Sequence, residues 1–290
     1  MVLLPYVLVS FAANSLITRH VVEDDLLDAG LLTAVRFIAG AVALSTLAIG
    51  LGVRPTIGRA NVVPALWLGI YAVSISYGYQ HIGAAAGTFV FYATVLLTLV
   101  AVDVVRRTVM PRRRLLGAGI ALAGLAVLAG GSIDTVTPLG VALLALTGAT
   151  WGLYTLAGRS AADPRRANTG NVLLLSAVLV APAAYLAGPA DGVEVTSSGL
   201  IWGVVMGAGT TAVAYVAWYA CQRSLSATSA GTVQLAIPVL TAVGAVALLG
   251  ERFTAGLAVS AALVTVGMWL AAPGRSSSPG SGRGPTGAAR

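Results

Sequence analysis

Residues 229–254 read SAGTVQLAIPVLTAVGAVALLGERFT, and this stretch alone places the protein in a membrane. The 22 residues from Ser229 to Gly250 carry no charge, and a helix of that length crosses a hydrocarbon core of about 30 Å. Pro238 lies in its middle, where a membrane helix tolerates proline if neighbouring helices satisfy the freed carbonyl. Its many small residues let other helices approach closely. The stretch predicts a kinked, tightly packed membrane helix.

The composition of the whole chain also indicates a membrane protein. The 290 residues are 57% hydrophobic and 9% charged, with a mean hydropathy of +0.89, whereas soluble domains carry about 25% charged residues. This excludes a water-soluble protein and predicts an all-α integral membrane protein. The single cysteine, Cys221, excludes an internal disulfide and a cysteine-based metal cluster. Only His20 and His81 remain for a metal site, so neither a metal nor a cofactor is predicted.

Apolar windows of spanning length recur ten times along the chain. No signal peptide is predicted, because the first window lacks a positively charged n-region. The final residues, 273–290, are rich in Pro, Gly and Ser and predict a disordered tail. The ten windows are 2–18, 30–51, 62–80, 84–105, 115–131, 138–157, 170–188, 198–220, 229–250 and 255–272.

The arginines orient these spans. All 17 basic residues are arginine, and the net charge is +7. With ten spans and both termini cytoplasmic, 14 arginines fall inside and two, Arg19 and Arg252, fall outside. Cytoplasmic loops of membrane proteins carry an excess of basic residues, so the net positive charge of this chain indicates its orientation in the membrane and not nucleic-acid binding. A multi-pass protein of the bacterial inner membrane is predicted.

A shift of 144 residues superimposes the third and fourth spans on the eighth and ninth. Tyr71 then meets Tyr215, and Ala86-Gly87-Thr88 meets Ala230-Gly231-Thr232. Five spans are an odd number, so the second copy would enter the membrane inverted. Inverted repeats are typical of secondary transporters, which bind solutes between the copies near the bilayer midplane. The predicted units are residues 1–132 and 133–272, although Ala- and Gly-rich helices also match one another by chance.

Three segments resemble a known family. They are LLTAVRFIAGAVAL in the second span, TWGLYTLAGR in the sixth and, most specifically, the run from Ala214 to Gly256 that contains Pro238 and Gly250-Glu251-Arg252. In these the chain resembles EamA-type members of the drug/metabolite transporter superfamily. The resemblance covers residues 1–272 and implies ten helices in an inverted repeat around a central cavity. It also implies movement of small organic solutes, often outward.

The first half departs from this pattern. It has Thr94 where the repeat partner has Pro238, and Arg106-Arg107 where the partner has Gly250-Glu251. Two equivalent gates are therefore not expected.

Two charged residues lie within predicted spans. Charges in a membrane are costly and usually functional. Arg36 lies about two turns from the outer end of its span, within reach of the interface, and either contacts a substrate carboxylate or phosphate or is a structural tether to helix ends or headgroups. Asp103 is spaced to pair with Arg106 and Arg107 along one helix, which is favoured over a role as proton carrier. Coupling to protons, if present, would fall to a peripheral group such as Asp103 or His81.

Polar and aromatic residues predict the solute site. Trp67, Tyr71, Ser74 and Gly78 share one face of the third span, and Thr211, Tyr215, Trp218 and Gln222 share the equivalent face of the eighth. Buried phenol and indole groups need a polar partner or a ligand, although packing across the bundle is the alternative. Pro238 is either a hinge or a static kink. The predicted substrate-binding residues are Asn14, Ser15, Arg36, Tyr71, Ser74, Tyr92, Trp151, Tyr154, Tyr215, Trp218 and Gln234.

These features predict a secondary transporter that moves a small amphipathic metabolite, such as an amino acid, as an exporter or exchanger by alternating access. The predicted partners are that small-molecule substrate and membrane lipid, with a homodimer left open. The alternative is a structural or regulatory membrane subunit that does not transport. An enzyme is disfavoured because no nucleophile-and-base set or phosphate-binding loop is present, and a channel because no filter signature is present.

Overall fold

The protein is described by a computed structural model that covers residues 3–52, 57–82, 84–107, 111–129, 137–186, 195–248 and 254–271. These residues contain helices and no strand; an isolated bridge pairs Leu27 with Val195. The helices are α1 (Leu3–Glu23), α2 (Ala29–Gly50), α3 (Arg59–Gly78), α4 (Ala84–Val105), α5 (Arg112–Ala129), α6 (Pro138–Ser160), α7 (Pro164–Leu186), α8 (Ser197–Val205), α9 (Ala214–Gln222), α10 (Ala227–Gln234), α11 (Ala236–Leu248) and α12 (Ala255–Ala271).

Each of the ten predicted windows is helical over most of its described residues. Among the described residues, six helical stretches are long and apolar enough to cross a membrane. The protein is therefore an all-helical, multi-pass chain, while the count of ten crossings stays a prediction. The tail 273–290 and the Gly250-Glu251-Arg252 end of the ninth span lie outside the described residues. The six stretches are Ala29–Gly50, Arg59–Gly78, Gly87–Val105, Pro138–Ser160, Ser197–Gln222 and Ala227–Leu248.

The stretch Ser197–Gln222 is one helix with an irregular centre. Between α8 and α9, residues Met206–Val213 form a π-helix. Such segments are rare and occur often at functional sites, because they redirect side chains without ending the helix. The backbone of this segment lies against α2, since a Cβ atom on Gly207 would meet the carbonyl oxygen of Arg36 and the amide of Gly40. Glycine at 207 permits this close approach.

The stretch Ala227–Leu248 is broken. Helix α10 ends at Gln234, Leu235 forms a turn whose amide donates to the carbonyl of Thr232 (3.1 Å), and α11 begins at Ala236. Pro238 is the third residue of α11, where it has no amide hydrogen to continue the ladder. The discontinuity therefore lies three residues before the proline. Whether it moves as a hinge stays a prediction.

The helices pack so that the first and second halves of the chain interleave. Helix α1 lies against α9 and α11, and α2 lies against α7 and the π-helix. Helices α3 and α4 both pack against α6, α4 also packs against α10, and α5 pairs along α12. Buried side chains from α1, α3, α4, α6 and α9 meet in one hydrophobic cluster at the centre.

Candidate functional site

Arg36 lies at the centre of the helix bundle. The side chain of Asp28 caps α2, accepting hydrogen bonds from Gly30 N (2.7 Å) and Leu31 N (3.0 Å), and Arg36 follows two turns later. Its side chain is 2% exposed. A tether to lipid headgroups is therefore wrong for Arg36: the side chain turns inward, where neighbouring helices supply polar partners. A structural tether within the bundle and a contact with substrate both stay predictions.

Those partners are neutral hydroxyl groups. Arg36 Nε donates to Thr211 Oγ1 (2.8 Å), and Nη2 donates to the hydroxyls of Tyr215 (2.5 Å) and Tyr71 (3.4 Å). The guanidinium carbon also lies 5.8 Å from the centre of the Tyr71 ring and 5.1 Å from that of Phe37. Among the described residues, no carboxylate lies within ion-pair distance of Arg36. The site therefore holds a buried positive charge whose protein partners are uncharged.

Beside this cluster is a small enclosed cavity of about 10 Å³, roughly the room that one water needs. Six of the residues predicted to bind substrate line it, so the structure brings together most of the predicted set. Trp151 forms much of one wall, with ring centres 4.8 Å from Tyr71 and 5.1 Å from Tyr215. The full lining is Phe11, Asn14, Ser15, Tyr71, Ile75, Phe91, Tyr92, Trp151 and Tyr215.

Three other predicted residues lie immediately behind the lining. Trp151 Nε1 donates to Gln234 Oε1 (2.6 Å), which ties the wall to the last residue of α10. The ring of Tyr154 lies 5.6 Å from Trp151, and its hydroxyl donates to Asn168 Oδ1 (2.6 Å). Trp218 is fully buried and donates to a threonine hydroxyl of α6. These residues position the wall and do not face the cavity.

Ser74 is placed elsewhere. Its hydroxyl lies 2.6 Å from the carbonyl of Ile70 and 2.9 Å from the hydroxyl of Thr147. It borders an almost wholly apolar surface groove of about 890 Å³ between α3, α6 and α7. Pro238 does not border the cavity either; the nearest predicted residue on its span is Gln234.

Sequence reasoning missed the apolar part of the lining, namely Phe11, Ile75 and Phe91. A membrane helix offers many apolar residues, and nothing in their spacing separates those that face a cavity from those that face lipid. Thr211 was placed on the correct face of its span but without a partner. The π-helix that presents it to Arg36 has no sequence signal beyond the small residues around Gly207.

The predicted pairing of Asp103 with Arg106 and Arg107 is not what the structure shows. Helix α4 ends at Val105, and Arg107 leaves the helical spacing with a positive φ of 53°. Arg106 keeps that spacing, since its amide donates to the carbonyl of Val102 (2.9 Å), but in the described part of the chain no ion pair joins it to Asp103. Asp103 is instead 5% exposed, and its Oδ2 accepts hydrogen bonds from the amide (3.0 Å) and hydroxyl (2.7 Å) of Thr228. It stabilises the start of α10, where a carboxylate also interacts favourably with the helix dipole.

The site is suited to holding a solute. In the described part of the chain, no three His, Cys, Asp or Glu side chains converge as they would to hold a metal ion. What the cavity offers is aromatic surface with a few hydrogen-bonding groups and one buried charge. Groups of these kinds line pockets for small organic molecules, although the space between them has room for only one water in this conformation.

Known proteins match both the sequence and the fold. The profile of the EamA-like transporter family matches residues 138–272. An uncharacterized protein of Pseudomonas aeruginosa, PA1977, is 36% identical over 248 residues, which cover 84% of each chain. The chain belongs to the EamA-like transporter family. It is thus a multi-pass membrane protein of a family of transporters, which points away from an enzyme.

A solved crystal structure shares the fold of this EamA-like chain. It superposes with a TM-score of 0.72 and 20% identity, over 91% of this chain and 96% of the other. At that identity the likeness concerns the fold alone. The aromatic cavity and its arginine are therefore features to be argued from this chain's own residues.

Proposed function

We propose that the protein is a secondary transporter that binds a small amphipathic metabolite in the central cavity and exposes it alternately to the two sides of the membrane. The observation that carries this proposal is the enclosed cavity itself, which places aromatic rings and a buried cation together at the core of a membrane bundle. Buried polar groups are costly unless they have a function or a partner. A transporter uses such groups to bind its solute.

The arrangement of the tyrosines supports two inverted five-helix repeats, residues 1–132 and 133–272. Tyr71 and Tyr215 are 144 residues apart, yet their hydroxyls lie 3.4 Å from each other and both accept from Arg36. Repeat-related residues that meet at one point are expected if the two copies face each other across an axis in the membrane plane. One chain supplies the whole cavity lining, so a homodimer is not required for binding.

A second pocket supports a route for the solute. This pocket, of about 410 Å³, lies where α6 meets α7 and is bordered by Asn61, Arg166 and Tyr219. The rings of Tyr219 and Tyr154 are in contact, with centres 5.0 Å apart and planes tilted by 40°, and Tyr154 contacts Trp151 of the central cavity. Two aromatic rings thus separate pocket and cavity. In the orientation predicted from the arginines this pocket faces the cytoplasm, so it would be the cytoplasmic end of the route.

Unpaired amide groups lie beside the same two rings. Both amide atoms of Gln222 and Nδ2 of Asn168 are buried and have no hydrogen-bond partner among the described residues. An unsatisfied buried amide costs about 1–3 kcal/mol. Such groups gain partners if the route opens and admits water or solute, and this is a reason for a transporter to retain them.

Counterflow in reconstituted vesicles tests the proposal. Vesicles with the purified protein and a loaded unlabelled solute are expected to take up the labelled solute for at least one member of a panel of amino acids, nucleosides and aromatic acids. Trp151→Phe should slow that uptake by about tenfold or more, because it shrinks a cavity wall and removes the hydrogen bond that ties this wall to Gln234. Trp269→Phe is the matched control, since Trp269 is 68% exposed.

Two results would oppose transport. One is uptake of no member of the panel by protein that is folded and correctly inserted. The other is uptake that is equal in Trp151→Phe and in the Trp269→Phe control. Stable co-purification with another membrane protein, together with the first result, would favour the structural or regulatory subunit.

A further inference from the structure

The hydrogen-bond pattern around Arg36 leaves the cavity with unused donors. A hydroxyl group has one donor and two acceptor positions. The Tyr71 hydroxyl accepts from Arg36 Nη2 and from the Tyr215 hydroxyl, each at 3.4 Å. Both acceptor positions are therefore occupied, and its own O–H has no acceptor among the described residues. Because Tyr71 lines the cavity, this donor is available to a ligand.

Two further donors line the same space. Asn14 Oδ1 accepts from the Thr210 hydroxyl at 3.5 Å, while its Nδ2 group meets no acceptor in the described part of the chain. The Tyr92 hydroxyl likewise has no partner there. Trp151 is not free, because its indole N–H is bonded to Gln234. The unused donors of the cavity are thus those of Asn14, Tyr71 and Tyr92.

The positive charge of Arg36 also indicates a ligand that accepts hydrogen bonds. Arg36 is buried, and its hydrogen bonds polarise the tyrosine hydroxyls, so that their O–H groups become stronger donors. None of the cavity-lining residues is acidic. A ligand that brings one negative charge and two acceptor atoms would compensate the buried cation. A dianion would bring one charge too many, and an ammonium group would find no carboxylate among the lining residues.

We propose that the central cavity binds the carboxylate of an aromatic monocarboxylate, with Tyr71 and Asn14 donating to it and Arg36 supplying the compensating charge from behind the tyrosine hydroxyls. The aromatic part of the ligand would lie against Phe11, Phe91 and Trp151. This inference rests on the proposed transport function, since the 10 Å³ space must open for such a ligand to enter. It narrows the substrate class from amphipathic solutes in general to monoanions.

Three matched ligands test the charge requirement. Binding of 3-phenylpropionate, 3-phenylpropanamide and 3-phenylpropylamine to the full-length protein in nanodiscs would be measured by thermal stability and tryptophan fluorescence. The carboxylate is expected to bind at least about tenfold tighter than the amide, because hydrogen bonds to an ionised acceptor are roughly twice as strong as those to a neutral one. Equal or tighter binding of the amide or amine, or no binding of the carboxylate at millimolar concentration, would overturn the proposal.

Variants test the assigned residues. Tyr71→Phe keeps the ring and removes the donor, so it should abolish most of the preference for carboxylate over amide. Tyr79→Phe is the control, because the Tyr79 hydroxyl bonds to Thr88 away from the cavity. Arg36→Lys should retain part of the preference and Arg36→Gln should lose it. If the Arg36 variants do not fold, Tyr71→Phe still decides, and an unchanged preference in that variant contradicts the assignment.

The outcomes separate this inference from the proposed function. Counterflow of a neutral or cationic solute that depends on Trp151, with no binding of 3-phenylpropionate, would support the transport function and contradict the assignment of a monocarboxylate as ligand. Tight carboxylate binding without counterflow of any solute would support the proposed binding site and contradict the transport function.

Discussion

Arg36 shows how far a single residue can be interpreted from sequence. An arginine inside an apolar span is unusual enough to predict a functional site. Its depth alone did not say which way the side chain turns, because both an interface and a bundle interior lie within its reach. The inward direction of the side chain is set by its hydrogen bonds to Tyr71, Thr211 and Tyr215, which are 35 to 179 residues away in the sequence. That meeting is a property of the fold and not of the local sequence.

Asp103 gives a prediction at the same scale. Its carboxylate accepts two hydrogen bonds from Thr228 at the start of α10, so Asp103→Ala should destabilise the protein by about 1–2 kcal/mol, the range for loss of a helix cap. Thermal unfolding in detergent would measure this. Arg106→Ala is the control and should change stability by less than about 0.5 kcal/mol, as exposed substitutions do. Equal destabilisation by both variants would favour an ion pair between Asp103 and Arg106 and would contradict the role of Asp103 at the start of α10.

At the scale of the helices, the sequence predicted where they lie better than how they are built. Apolar length located all ten windows, and Pro238 marked the span that is broken. The break itself, at Leu235, and the π-helix Met206–Val213 were not predicted. Both arise from packing: the π-helix follows the close approach of Gly207 to α2, and Gln234 at the end of α10 is bonded to Trp151. Both irregular segments adjoin the cavity wall.

The pair formed by α5 and α12 gives a prediction for this scale. A Cβ atom on Gly267 would lie 2.5 Å from the carbonyl oxygen of Gly117, so the two backbones are in direct contact. Gly267→Ala must push the helices apart and should cost about 1–3 kcal/mol. Gly119→Ala on the same α5 meets nothing within 4 Å and should be neutral or stabilise by up to about 1 kcal/mol, since alanine favours helix.

Thermal unfolding of the two alanine variants in the same detergent would compare them. A loss of stability in Gly119→Ala as large as that in Gly267→Ala would mean that the close approach of α5 to α12 is not what limits substitution.

For the whole molecule, the described residues contain one buried carboxylate, Asp103, and it already serves α10. The positive charge at the centre, Arg36, is an arginine and stays protonated. The central site therefore offers no group that takes up a proton in exchange for substrate. If the ligand is a monoanion that is exported without a counter-substrate, each transport event moves a net charge, and the membrane potential becomes the natural driving force.

Proteoliposomes loaded with 3-phenylpropionate at neutral pH would test this. A potential of 100 mV, negative inside, is worth about 2.3 kcal/mol for one charge, so it should favour anion efflux strongly when set with a potassium gradient and valinomycin. Protein-free vesicles provide the blank for leakage of the protonated acid, and Arg36→Gln vesicles should show no potential-dependent component. Accumulation driven instead by an imposed pH gradient and abolished in Asp103→Asn would contradict the prediction, because it would make Asp103 a proton carrier and not a helix cap.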